Sequence, residues 1–135
     1  MKIRAVIDTN VLVSSFYGGN PREIIRLWEK GKIIWCLSEP ILIEYLRVLK
    51  RLQFDRYPRF GELWRLFLMY YNIEFLARPP ALKIEISDPE DLKFLECAVA
   101  LKAQFVISGD RDLLALRAFG SVEILSPGEF LDRVL

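Results

Sequence analysis

Four carboxylates stand apart from the other acids of the chain by where the sequence places them. Asp8 and Asp110 each follow a short β-branched or apolar run, residues 2 to 7 and Phe105 to Ser108. Ligand sites in open parallel α/β sheets form just beyond such strand ends. Asp112 follows two residues after Asp110. Taken singly, each suits a helix-capping aspartate, which gains about 0.3 to 1 kcal/mol from free amides and the helix dipole. Asp91 is different. In a helix opening at Asp88-Pro89, Asp88 makes the N-cap and Asp91 stands where an acid could close a capping box. At 100° per residue, however, Asp91 shares a stripe with Leu95 and Ala98 and points along the core-facing side. A charge there is costly unless it is paired, hydrogen-bonded or bound to a metal. Glu44 lies at the border of its own apolar stripe, with Ile41 and Val48 along one edge and Tyr45 beside it. Glu96 shares the helix of Asp91 but is turned off its stripe, a weaker claim.

If Asp8, Glu44, Asp91 and Asp110 converge at one end of a sheet, their charges must be answered. Two carboxylates about 4 Å apart repel by about 4 kcal/mol at an effective dielectric of 20. Apart from Arg111, no base is expected within these motifs to offset them, and the chain has no histidine. A hard divalent ion is then the natural neutraliser, and oxygen-only ligation favours Mg²⁺ or Mn²⁺ over zinc. Such an ion lowers the pKa of a bound water and polarises a phosphoryl oxygen. The chemistry implied is phosphodiester hydrolysis. Catalysis through a histidine base is excluded. Cys36 and Cys97 lack C-x-x-C spacing and are expected to be small buried hydrophobes.

The elements that must position these acids alternate along the chain. The strand at residues 2 to 7 ends at Asp8-Thr9-Asn10, followed by a loop through Gly18-Gly19. Asn20-Pro21 opens a helix that stops at Gly31. Ile33 to Leu37 reads as a strand, Ser38 with Pro40 opens a second helix, and a third covers about residues 57 to 71. Of two strand-like pieces separated by Pro79-Pro80, Ile73 to Leu76 is the preferred strand. A helix from Asp88-Pro89 to about Ala103 leads to a strand at Phe105 to Ser108. A short helix from about Arg111 to Phe119, a strand at Val122 to Leu125 and a last helix after Ser126-Pro127 follow. This alternation predicts a parallel sheet covered by helices on both faces. With 135 residues, 53% hydrophobic and 27% charged, one globular domain over residues 1–135 is expected, and disordered and fibrous classes are excluded. No apolar run approaches the roughly 20 residues of a membrane span. Asp8 interrupts the place where a secretory signal would carry its apolar centre, so a cytoplasmic protein is expected.

Ile7-Asp8-Thr9-Asn10-Val11-Leu12-Val13, Glu44, the run Asp88-Pro89-Glu90-Asp91-Leu92-Lys93-Phe94-Leu95-Glu96-Cys97-Ala98, and Val106-Ile107-Ser108-Gly109-Asp110-Arg111-Asp112-Leu113-Leu114 together resemble the PIN-domain nucleases in order, spacing and total length. The resemblance covers essentially the whole chain. It implies a three-layer α/β/α sandwich with a central parallel sheet of four or five strands and a Mg²⁺- or Mn²⁺-dependent ribonuclease site. Carried over by residue, it implies Asp8, Glu44, Asp91 and Asp110 as the catalytic acids. Asp112 is similar to an additional acid beside the fourth, grouped with Asp8, Asp91 and Asp110 as metal ligands. Asn10 and Ser108 resemble the small polar groups that orient the acids. Single-domain members of this length resemble the VapC-type toxins of toxin–antitoxin pairs, which cut RNA and are held inactive by a small antitoxin protein. Members commonly form homodimers, and an apolar face around Trp64, Phe67, Leu68 and Tyr71 would serve for that or for ordinary core packing.

The net charge of +1 identifies no partner, but local clustering does speak. Arg47, Lys50, Arg51, Arg56, Arg59 and Arg65 face only Asp55 and Glu62 in that stretch, interleaved with Phe54, Tyr57, Phe60 and Trp64. Cations track phosphates and aromatics stack unpaired bases, which suits single-stranded RNA; a solvated helix face with its aromatics inside is the alternative. Two further functions stay open at this stage. One is a PIN module that binds RNA or a partner without cutting. The other is a phosphoryl-transfer domain with Asp8 as the phosphorylated residue, for which Asn10 stands where dehalogenase-like folds want a second Asp.

Overall fold

The computed structural model describes residues 2–135. Five strands, β1 (Ile3–Ile7), β2 (Ile33–Ser38), β3 (Ile73–Leu76), β4 (Phe105–Ile107) and β6 (Val122–Leu125), run parallel in the spatial order β3-β2-β1-β4-β6. The two-residue β5 (Ala118–Phe119) closes the far edge antiparallel to β6. Among the described residues, seven helices flank this sheet: α1 (Thr9–Ser15), α2 (Gly19–Glu29), α3 (Glu39–Arg51), α4 (Pro58–Leu68), α5 (Leu92–Ala100), α6 (Arg111–Leu116) and α7 (Pro127–Val134). The architecture is the expected α/β/α arrangement.

The central strands are apolar almost throughout, as strands buried on both faces must be. Ala5, Val6, Ile7, Val106 and Ile107 are fully buried. An aromatic cluster locks the helices on the β2 side. Trp28 meets Trp35 edge-on at 4.9 Å, and Trp35 meets Phe67 at 4.9 Å. The polar edges of these rings are satisfied, as burial requires. Trp28 Nε1 donates to the carbonyls of Tyr71 and Asn72, both at 3.1 Å. Trp35 Nε1 donates to the Tyr45 hydroxyl at 3.2 Å, which in turn donates to the Ile7 carbonyl. That last bond fixes α3 against the end of β1, one residue before Asp8. Both cysteines are free and buried, and burial pushes each thiol up to about 12, so they pack rather than react.

Several elements differ from the sequence expectation. Where a loop is expected after Asp8, the chain turns at once into α1. Thr9, Val11 and Val13 are β-branched and Asn10 and Ser14 are poor helix formers, so propensity conceals this short helix, and burial of Val11 and Leu12 holds it. The helix opened by Asp88 begins as a 3-10 turn at Pro89–Asp91 and ends at Ala100, before Ala103. α6 stops at Leu116, because Arg117 adopts a left-handed φ of 63° and turns the chain into β5. α4 stops at Leu68, with Tyr70 and Asn72 at φ of 54° and 46°. In the apolar face considered for dimerisation, Phe67 is buried, Trp64 and Tyr71 are half-buried, and Leu68 is exposed.

Candidate functional site

Asp8 and Asp110 leave neighbouring strands, since β1 and β4 pair directly and the Asp8 amide donates to the Ile107 carbonyl at 2.9 Å. Ser108, fully buried, bridges them. Its hydroxyl donates to Asp8 Oδ2 at 2.5 Å and accepts from the Asp110 amide at 3.0 Å. Asp8 is the N-cap of α1, but its cap bond from the Asn10 amide is long, at 3.4 Å. Only the backbone of Asn10 takes part; its side chain lies on the exposed side. Burial raises the Asp8 carboxyl above the ordinary aspartate range. The Ser108 and Asn10 bonds pull it back, and repulsion from Glu44 and Asp110 adds to the rise.

Asp91 ends the 3-10 turn before α5 and makes no capping bond, whereas Asp88 does cap, accepting from the Glu90 amide at 3.0 Å. Asp110, at the N-cap of α6, likewise spends no side-chain oxygen on its helix. The two uncommitted carboxyls meet instead. Burial, a shared hydrogen bond with Asp110 and the charges of Asp110, Asp8 and Asp88 push Asp91 up to about 7. Three segments distant in sequence thus bring Asp8, Asp91 and Asp110 into one electrostatic neighbourhood.

Glu44 enters from α3. It accepts from the Thr9 hydroxyl and pairs with Lys93 Nζ at 2.8 Å, while Arg47 lies at 3.8 Å. Lys93, itself largely buried, also donates to the Glu90 carbonyl at 2.6 Å. This corrects the expectation that Arg111 is the one base within the acid motifs: Lys93 neutralises Glu44 directly. Thr9 and Lys93 are the two site residues that sequence reasoning left without a role. Asp112 lines a cavity of about 430 Å³ together with Asp88, Asp91, Leu113 and Leu116.

Arg47, Lys50, Arg51 and Arg56 are exposed along α3 and the 3-10 turn at Phe54–Arg56. Arg59 is half-buried in a crevice with Phe16, Glu29 and Glu62. Of the interleaved aromatics, Phe54 is buried, Phe60 and Trp64 stack on each other at 6.1 Å, and Tyr57 is exposed.

The PIN domain family model matches residues 4–112, and the chain belongs to that family, a nuclease-type fold. An uncharacterized protein of Methanocaldococcus jannaschii is 29% identical over 120 residues, covering 87% of this chain and 77% of its own. No described helix is long and apolar enough to cross a membrane.

The donor set can be tested against a divalent ion. All the gathered donors are carboxylate or hydroxyl oxygens, which suits Mg²⁺ or Mn²⁺. Burial and the neighbouring acids hold the Asp91 carboxyl up to about 7, and a cation would displace that proton. Among the described residues, no three acidic or cysteine side chains are gathered closely enough to enclose an ion by themselves. Mg²⁺ needs no such cage, since it is usually held by one or two carboxylates with water and substrate phosphate completing its shell. The residues present fit the ion on those terms.

Proposed function

We propose that the chain is a divalent-metal-dependent ribonuclease that hydrolyses phosphodiester bonds of single-stranded RNA. The observation that carries this reading is that Asp91 and Asp110, neither spent on capping its own helix, lie beside buried Asp8, which Ser108 orients, with no base among the three. Asp8, Asp91 and Asp110 would hold Mg²⁺ or Mn²⁺, with Asp112 at the margin. When bound, the ion would offset the acids and the phosphate charge and lower the pKa of a water. Ser108 fixes the Asp8 carboxylate and the Asp110 backbone at once, so both acids are oriented before substrate arrives. Glu44, held by Thr9 and Lys93, adds an ordered charge at the flank. Arg47, Lys50, Arg51, Arg56 and Arg59 would contact the RNA backbone.

The test is incubation of purified protein with Mn²⁺ and a panel of single-stranded RNAs. Wild type is expected to cut, and Asp8→Asn and Asp110→Asn to lose cutting and ion binding together. Uncut RNA with no Asp8→Asn-sensitive ion binding would remove the reading. The Glu44–Lys93 pair supports a second reading, since it takes one acid away from an ion: a module that binds RNA without turnover. Binding without cleavage at every Mg²⁺ concentration would decide for it.

The biological setting we propose is that of a toxin held by an antitoxin protein, in the cytoplasm, as a homodimer through the exposed Leu68, Met69 and Tyr70. A small antitoxin-like reading frame beside the gene, whose product co-purifies with this chain, is the expected finding.

A further inference from the structure

Two large aromatic rings lie in water away from the acids, at the far end of the same pair of helices. Tyr17, just past α1, is 78% exposed, and Tyr57, which opens α4, is 53% exposed. Both stand edge-on to buried Phe54, at 5.4 and 5.5 Å between centroids, and Phe54 stacks on Phe16 at 4.9 Å. Both are tied at the backbone, their amides donating to the Ser14 and Phe54 carbonyls at 3.0 Å. Arg22 donates to the carbonyls of Ser15 and Phe16, at 3.0 and 2.7 Å, which pins the backbone leading into Tyr17. Rings so exposed bury little area for the core, so their worth is in the faces they present.

Their place relative to the acids follows from the helices. α1 and α3 run side by side in the same direction, since Thr9 bonds Glu44 at one end and Phe16 stacks on Phe54 at the other. At 1.5 Å per residue, the seven residues of α1 put Tyr17 about 10 Å beyond the acids, a few nucleotides away. Between the two ends, Arg47 and Arg51 fall on one stripe of α3 with Glu44, at spacings of three and seven, and both are exposed. Lys50 lies about 120° round the helix from Glu44 and about 60° from Arg47, at the border of that line.

We propose that Tyr17 and Tyr57 form a stacking subsite for unpaired bases of the RNA, with Arg47 and Arg51 tracking the phosphates that lead from it to the acids. This rests on the ribonuclease reading and adds the place where substrate is gripped away from the scissile bond. Stacking is indifferent to base identity and cation contacts to sequence, so the subsite selects single strands over duplexes.

The experiment compares fluorescein-labelled 12-mer oligouridylate with an abasic 12-mer of equal phosphate count, by anisotropy with Ca²⁺ in place of Mn²⁺. Wild type is expected to bind the base-bearing strand more tightly. Tyr17→Ala with Tyr57→Ala should lose about tenfold on it and nothing on the abasic strand, and Tyr17→Phe with Tyr57→Phe should retain binding. In Mn²⁺ the alanine variant should raise KM for the 12-mer and leave kcat, while a dinucleotide, too short to reach Tyr17, is cut at the wild-type rate. If wild type binds and cuts RNA but the alanine variant matches it, the subsite is overturned, the patch serves another protein, and the ribonuclease reading stands. Equal binding of the two strands by wild type overturns it as well. If wild type neither binds nor cuts RNA, both readings fall.

Discussion

Lys93 sets how much negative charge the acid cluster carries. Its ammonium is held at 2.8 Å from Glu44 with both side chains largely buried, so the pair is shielded from the screening that weakens surface ion pairs. Lys93→Met is expected to destabilise the metal-free protein by about 1–3 kcal/mol, because Glu44 loses its partner. The same change should lower the Mg²⁺ concentration needed for half-saturation, since an unneutralised Glu44 adds to the field drawing the cation. Titration calorimetry checks this, and weaker Mg²⁺ binding by the variant would contradict the assignment. A pH prediction follows from Asp91. The folded metal-free chain holds its proton up to about 7, whereas the unfolded chain releases it near the ordinary value of 3.8. Between those values the folded state binds more protons, so this contribution to stability is full below about pH 4 and is lost as pH rises through 7. In EDTA, the wild-type Tm should therefore fall relative to that of Asp91→Asn between pH 5 and 8, and Mg²⁺ should recover more of it at pH 8. Parallel curves would refute the assignment. The places of Asp8 and Asp110 were legible in the sequence because standing just past a strand end is a local property, whereas Asp91, expected on the apolar stripe of its helix, lies in the 3-10 turn before α5 and comes near the other two from there. Lys93 and Thr9 were not legible, since each acquires its role from Glu44, 49 and 35 residues away on another helix.

At the scale of elements, the seating of α3 on β1 decides whether Glu44 reaches the site. One hydroxyl makes that seat, since Tyr45 donates to the Ile7 carbonyl and accepts from the Trp35 indole at 3.2 Å in a dry core. Burial raises the phenol well above its usual range, so it stays protonated as a donor. Tyr45→Phe keeps the ring and strands two buried partners, so unfolding in urea should show a loss of about 1–3 kcal/mol. A loss below about 0.5 kcal/mol would mean that packing alone seats the helix. Helices with apolar periodicity and a proline or glycine at their ends were readable, as at Pro40 and Ser126-Pro127, where Ser126 and Glu129 close a reciprocal cap. α1 was not, because its β-branched residues and the poor helix formers Asn10 and Ser14 read as loop leading to Gly18-Gly19, and tertiary burial overrides that preference. The end of α6 was hidden for a related reason. Arg117 turns left-handed where no glycine signals it, and its carbonyl, accepting from the Ile124 amide at 2.8 Å, ties that turn to β6.

For the whole molecule, alternation of strands and helices was enough to foretell a parallel sheet, while the order β3-β2-β1-β4-β6-β5 was not written in any single segment. That order places β1 between β2 and β4 and so gathers at one edge the acids of residues 8, 91 and 110, with Glu44 carried in by the helix after β2. The bases are distributed differently. With 19 basic and 18 acidic residues, the molecule as a whole offers RNA no attraction at long range. On the proposed reading, its electrostatic affinity is expected to come from α3 and the turn after it. Each neutralised phosphate of a single strand contributes about −0.7 to the slope of log K against log salt. Arg47, Arg51 and Arg56 alone would give about −2, and Lys50 and Arg59 in addition about −3.5. Anisotropy titrations of the 12-mer across a salt series should fall in that interval, and Arg47→Ala with Arg51→Ala should flatten the slope by about 1.4. A wild-type slope steeper than about −5 would require cations from other faces, and the path along α3 would then not be the main track.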